Sequence, residues 1–383
     1  MSEATTETAS ARDRHLFSPG PKRILALDGG GVRGIVALAF LEKIERTLEA
    51  RAGKFVRLCD HFDMIGGTST GAIIAVGLAL GYNVREIREF YLRLAPRVFK
   101  RPRFRLPGWK AIFDARALAS ELQVVIGDRR LDSADLQTGI GVMLKRVDTA
   151  SSWILSNNPR AAYWHSPADK SYIGNHAYRL AQVVRASTAA PHYFDPQEIE
   201  IAVGEPAGLF VDGGLTPHNN PSLALFLNVF VPRYGIGWET GADKLTIVSV
   251  GAGTFRDRLD SRSLSRGPSA KLALRAMIQQ IGDSQQLILT LMSLLGESPT
   301  AWPINSEIGD LGAVPPPRGA LFRFLRYDMR LDADWFAAQL GEKIGAREIA
   351  EMRRLDDVAS MPRLEALARK AADAQVLPAH WDA

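Results

Sequence analysis

Ser69 stands in Gly67-Thr68-Ser69-Thr70-Gly71, after a short apolar run from Phe62 to Ile65 and before the small-residue run Ala72 to Leu80. A Gly-x-Ser-x-Gly turn between strand and helix can lift a serine hydroxyl into a cleft. Glycines on both sides permit the sharp backbone turn and let the helix pack closely on its strand. The helix start also directs its partial positive charge at the serine. The chemistry suggested is nucleophilic attack on a carbonyl, although a purely structural turn can carry the same pattern.

A second loop competes for two functions. Gly29, Gly31 and Gly34 of Asp28-Gly29-Gly30-Gly31-Val32-Arg33-Gly34 fit the dinucleotide fingerprint, after a strand and before a helix. The same geometry offers bare backbone N–H groups at a helix start, and these suit the oxyanion of acyl transfer equally well. The ribose-binding acid of the fingerprint has only Glu49 or Asp60 as candidates, neither clearly at a strand end. A donor loop beside a serine turn makes sense for hydrolysis and not for hydride transfer.

The serine needs a base. An α/β-hydrolase triad runs serine, acid, histidine along the chain, and only His218 and His380 follow Asp212. His218 is six residues beyond Asp212 in the same loop, and His380 lies near the end of the chain. His192, beside Tyr193 and Phe194, reads as a packed side chain. Asp212 ends a brief strand and precedes Gly213 and Gly214, so its carboxylate can project toward the same carboxyl edge as Ser69. A Ser–Asp pair is the simpler assignment, with the triad as its alternative. A free aspartate, of pKa about 4, is a weak base for a hydroxyl; burial among strand ends would raise it, and strong oxyanion donors would ease the attack.

Alternating elements position these groups. Arg23 to Asp28 reads as a buried strand, followed after the glycine loop by a helix in which Ile35, Leu38, Leu41, Ile44 and Leu48 recur at helical spacing. Phe62 to Ile65 is a second strand, and the apolar helix Ala72 to Leu80 should be buried on all sides. Thr138 to Thr149 and Ser152 to Ser156 read as strands of a hairpin, Ala181 to Ala189 as a helix, Leu209 to Val211 and Leu245 to Val250 as strands. A long helix from about Ala270 to Leu295 precedes a proline-rich joint and a helical C-terminal region. Strands alternating with helices predict a mostly parallel sheet. The organisation expected is a disordered tail over 1–20, a catalytic domain over 21–313 and a helical extension over 314–383 packed on it.

The 383 residues are 46% hydrophobic, enough for a sizeable core, with a formal charge of +5. The excess favours anionic partners, but acidic residues are nearly as numerous as basic ones, so nucleic-acid binding is not implied. One cysteine, Cys59, excludes an intrachain disulfide framework and suits a reducing compartment. The first twenty residues lack a signal-peptide core, and the longest apolar runs are too short for a span. The reading is a soluble cytoplasmic protein. Phe99, Lys100, Arg101, Arg103, Phe104, Arg105, Trp109 and Lys110 alternate charge and aromatic rings, as either a solvated loop over a cleft or a surface adsorbing to anionic membrane.

Four motifs in this order, Asp28-Gly29-Gly30-Gly31-Val32-Arg33-Gly34, Gly67-Thr68-Ser69-Thr70-Gly71, Ala186-Ser187-Thr188-Ala189-Ala190-Pro191 and Asp212-Gly213-Gly214, resemble those of the patatin-like phospholipases, bacterial members included. The resemblance implies a three-layer α/β/α fold, a Ser69 nucleophile, an Asp212 base and an oxyanion site in the glycine loop, with Gly30 and Gly31 as favoured donors. It implies no histidine, metal or other cofactor in the chemistry. The implied substrate is membrane phospholipid, met by peripheral contact. Arg33 then braces the donor loop or meets a phosphate. Some similar bacterial enzymes are membrane-degrading anti-phage effectors switched on by a small nucleotide; nothing in these residues shows such a switch. A catalytically silent lipid-binding module is the reading of a different class.

Overall fold

The computed structural model describes residues 9–100, 111–255, 269–300 and 302–382. Most of the basic, aromatic segment (101–110) and the polar loop after Phe255 (256–268) lie outside the described residues.

Lys22–Leu27 (β1) is apolar on both faces because helices cover both. Its neighbours are Met64–Thr68 (β2) and Leu245–Val250 (β7), both parallel to it. Beyond β2 lies Gly139–Arg146 (β3), which forms an antiparallel hairpin with Ser151–Ser156 (β4) as the sequence suggested. Gln197–Ile199 (β5) and Gly208–Asp212 (β6) continue that side antiparallel. On the other side β7 pairs parallel with Phe322–Tyr327 (β9), which pairs parallel with Gly296–Glu297 (β8).

Strand residues alternate between the two helical layers, as the period of two requires. Leu25, Leu27, Ile65, Val248 and Leu325 join one core with the helices Gly34–Ala52 and Met361–Gln375. Ile24, Ala26, Met64, Ile247 and Phe324 face the other, with Ala224 and Leu225 of the helix Ser222–Phe230 and Met292 of the helix Ser269–Leu295. The helix Thr70–Ala79 is buried on every side, because Ile74 and Leu78 join the first core while Ile73 and Val76 join a third, under β3. This is a three-layer α/β/α fold around a mostly parallel sheet.

Two regions differ from expectation. Residues 9–20 are not a loose tail: Ser10 caps the helix Ala11–Phe17, Leu16 is fully buried, and the Leu16 carbonyl accepts the Trp238 indole N–H at 2.7 Å. The C-terminal region is helical from Ala333 onward, but Phe322–Tyr327 before it is a strand inside the central sheet. Its Arg323 and Arg326 break the apolar run by which the other buried strands could be read.

Candidate active site

The turn at Ser69 is built by contact rather than by a cap. Ser69 has φ 55° and ψ −124° and stands at the head of the helix Thr70–Ala79, a strained conformation for a residue with a side chain. The turn closes because Gly67 and Gly71 touch. A Cβ on Gly67 would lie 2.2 Å from the Gly71 carbonyl carbon, and one on Gly71 would lie 2.3 Å from the Leu27 oxygen. Gly71→Ala is therefore expected to cost at least about 3 kcal/mol, since backbone on backbone cannot relax as a side chain can. Urea unfolding checks this against Gly282→Ala, where a Cβ meets nothing within 4 Å and helix propensity favours alanine by about 0.5–1 kcal/mol.

Asp212 reaches Ser69 by an arrangement the sequence did not suggest. Both β2 and β6 lie along one edge of β3, since β4 occupies the other edge from Gly141 to Arg146. β2 runs parallel up to Thr68 opposite Met143, and β6 runs antiparallel up to Asp212 opposite Leu144. The two strands thus meet head-on. The Ser69 hydroxyl donates to Asp212 Oδ2 at 2.7 Å, and Gly214 N–H donates to Asp212 Oδ1, also at 2.7 Å. A Cβ on Gly213 would sit 2.2 Å from the Met143 oxygen, so the Asp-Gly-Gly turn depends on that missing atom.

The Ala186-to-Pro191 motif braces both residues. Ser187 Oγ accepts the Ser69 N–H at 2.9 Å and donates to the Met143 carbonyl at 2.7 Å, while the Ala189 carbonyl accepts the Asp212 N–H at 3.0 Å. Sequence reasoning gave Ser187 no role; its only signal was its place in the third motif.

Burial pushes the Asp212 carboxyl from 3.8 up to about 6, against the opposing pulls of the Gly214 N–H, the Ser69 hydroxyl and the charge of Arg185. Arg185 is itself buried, donates to the Asp195 carbonyl at 2.8 Å, and lies over the Phe194 ring. A base with pKa near 6 remains ionised at neutral pH yet accepts a proton more readily than an ordinary aspartate.

The glycine loop lies beside the serine: a Cβ on Gly29 would come within 3.2 Å of Ser69 Cβ. Gly30 N–H donates to Thr70 Oγ1 at 3.1 Å, tying the two turns together. Gly31 has φ 58°, and its N–H has no acceptor among the described residues; its carbonyl accepts the Tyr91 hydroxyl. Val32 N–H donates to the Leu355 carbonyl at 2.9 Å. Gly34 admits no side chain, because a Cβ would meet Tyr91 Oη at 2.7 Å. Arg33 is buried; it donates to the Gly30 carbonyl at 3.3 Å and the Gly253 carbonyl at 3.1 Å, and stacks on Phe255.

Among the described residues no histidine hydrogen-bonds Ser69 or Asp212. His218 meets the site through its backbone, its carbonyl accepting the Thr68 hydroxyl at 2.6 Å, and burial lowers its imidazole pKa. His380 pairs with the Tyr327 hydroxyl at 2.9 Å. His192 is exposed rather than packed, its ring beside that of Tyr193 in a loop whose carbonyls hold Ile112 and Phe113. Asp60, a candidate ribose ligand, is paired with Arg57 at 3.1 Å.

The patatin-like phospholipase family description matches residues 25–226, more than half of the chain. A cGAMP-activated phospholipase of Vibrio cholerae serotype O1 is 28% identical over 283 residues, covering 71% of this chain and 73% of its own. A cUMP-AMP-activated phospholipase of Escherichia coli is 31% identical over 233 residues, 61% of this chain and 65% of that one. The calcium-independent phospholipase A2-gamma of Mus musculus is 31% identical over 286 residues, 71% of this chain but 33% of that one. The chain belongs to the patatin-like phospholipases, a family of lipid hydrolases.

Proposed function

We propose that this chain releases fatty acid from membrane phospholipid as a phospholipase A-type esterase with a Ser69–Asp212 dyad. The observation that carries the reading is the 2.7 Å hydrogen bond from Ser69 Oγ to a buried carboxylate, with no imidazole between them. Ser69 Oγ attacks the ester carbonyl and passes its proton to Asp212 Oδ2. The resulting oxyanion is held by Gly31 N–H, joined by Gly30 N–H if that group turns from Thr70 Oγ1. Collapse breaks the ester C–O bond, and the leaving alkoxide takes the proton from Asp212. Water, deprotonated by the same carboxylate, then attacks the acyl carbonyl; the bond to Ser69 Oγ breaks, that oxygen takes the proton back from Asp212, and the fatty acid leaves.

The net charge of +5 supports peripheral contact with anionic headgroups. No helix among the described residues is long and apolar enough to cross a membrane. Two bacterial relatives are named for activation by cyclic nucleotides, which supports a small nucleotide as activator here.

Mass spectrometry of products from vesicles mixing phosphatidylethanolamine, phosphatidylglycerol and triacylglycerol tests both parts. Lysophospholipid and fatty acid are expected from the phospholipids, with a rise of tenfold or more on adding a cyclic dinucleotide, within the usual range of allosteric coupling (about 5–150-fold). Acyl release from triacylglycerol alone would overturn the substrate class. Equal rates with and without a cyclic-nucleotide panel would remove the activator.

A further inference from the structure

Three charged side chains lie sealed in the sheet at the foot of the donor loop: Arg326 is 1% exposed, Asp28 2% and Asp328 0%. Arg326 comes from β9 and grips Asp28 with both guanidinium arms, Nη1 to Oδ1 at 3.1 Å and Nη2 to Oδ2 at 2.7 Å. The same Nη2 donates to Asp328 Oδ2 at 2.7 Å, and Nη1 donates to Ser249 Oγ at 2.7 Å. Gln285 adds a bond to Asp28 Oδ2 at 3.0 Å.

From this cluster two chains of contact reach the glycine loop. The first is direct, because Asp28 is the residue from which the loop departs. The second runs through backbone: Asp328 Oδ1 accepts Gly253 N–H at 2.9 Å, the Gly253 carbonyl accepts Arg33 Nη1 at 3.1 Å, and Arg33 Nε donates to the Gly30 carbonyl at 3.3 Å. One guanidinium therefore restrains the loop at its first residue and at Gly30. Arg326 and Asp328 lie beyond residue 226, outside the stretch that carries the family match.

Stability alone does not explain such a cluster. A buried ion network is often no better for stability than well-packed apolar residues of the same volume, whereas a bidentate guanidinium fixes direction. Direction is what an oxyanion donor needs, since misplacement by about 1 Å costs about 100-fold in rate. We propose that Arg326 is a positioning residue for the acyl-transfer reaction, holding the Gly30–Gly31 donor loop through Asp28 and through Asp328, Gly253 and Arg33. This rests on the oxyanion reading of that loop.

The test compares wild type with Arg326→Met, Arg326→Lys and the charge-balanced triple variant Asp28→Asn/Arg326→Met/Asp328→Asn. Two readouts are taken on the full chain: steady-state fatty-acid release from phosphatidylglycerol vesicles, and deuterium uptake by the peptide covering 28–34. In Arg326→Met, kcat is expected to fall about 100-fold with KM within threefold, and exchange in 28–34 to accelerate while exchange in 64–80 does not. Arg326→Lys, which keeps the charge and loses the fork, should recover only part of the rate. The triple variant leaves no unpaired buried charge, so it should fold even if Arg326→Met does not, and it should still show the lost rate and faster exchange.

Wild-type kcat in the triple variant, or unchanged exchange in 28–34 in every folded variant, overturns the proposal. A wild-type protein that releases no acyl chain in a Ser69-dependent manner sinks the oxyanion reading instead, and the exchange readout still decides whether Arg326 holds the loop.

Discussion

Asp212→Asn should lower fatty-acid release about 10⁴-fold and at the same time stabilise the fold by about 1–3 kcal/mol at pH 8. The loss follows from chemistry: an amide at this position cannot take the Ser69 proton, and no histidine among the described residues hydrogen-bonds Ser69 in its place. The gain follows from burial. Folding carries the carboxyl from 3.8 up to about 6, so the folded state favours the neutral acid. The stabilisation this gives is complete below about pH 4 and is lost as pH rises through about 6, leaving an ionised group in a dry site at neutral pH. Asparagine carries no charge to bury, and its Oδ1 can still accept the Gly214 N–H. Urea unfolding of both proteins should show their stability difference widening from pH 4 to pH 7 and then levelling off. A constant difference would place the raised carboxyl elsewhere.

Ser69→Ala should abolish acyl release, by at least about 10⁴-fold, with little change in stability. Alanine keeps the backbone N–H that Ser187 holds at 2.9 Å, and it inherits the same positive φ, so neither the brace nor the strain changes. What is lost is the bond to Asp212 Oδ2, and the carboxyl of the variant should titrate higher than in the wild type. Ser69→Gly separates the two effects: glycine accepts φ 55° freely and removes strain of about 1–3 kcal/mol while leaving no nucleophile. Product assays on vesicles with thermal unfolding of both variants give the comparison. Residual turnover above about 1% of wild type in either would require another nucleophile.

The sequence displayed what local spacing encodes. The apolar strand before each glycine turn, the all-apolar helix after Ser69, the β3–β4 hairpin and the strand Leu245–Val250 could each be read from period and punctuation. What escaped was long-range pairing. That β6 runs antiparallel on the same edge of β3 as β2, and so meets it end to end, depends on contacts between residues about seventy apart in sequence. Buried charge hid β9, since Arg326 reads as solvated until Asp28 and Asp328 are seen around it. Ser187 was visible as a motif member but not as a brace, because its partners, Ser69 at the turn after β2 and Met143 on β3, are far from it in sequence. The N-terminal helix Ala11–Phe17 was lost among polar neighbours, its single fully buried anchor, Leu16, being too little for a periodic signal.

If a carboxylate alone activates Ser69, the pH dependence of Ser69 labelling with a fluorophosphonate, followed by intact mass in wild type, Asp212→Asn and His218→Ala, will show it. The wild-type rate should rise with pH through about 6 and then level, with the same curve for His218→Ala and almost no labelling of Asp212→Asn at any pH. Labelling that survives in Asp212→Asn and disappears in His218→Ala would contradict it and establish a histidine as the base.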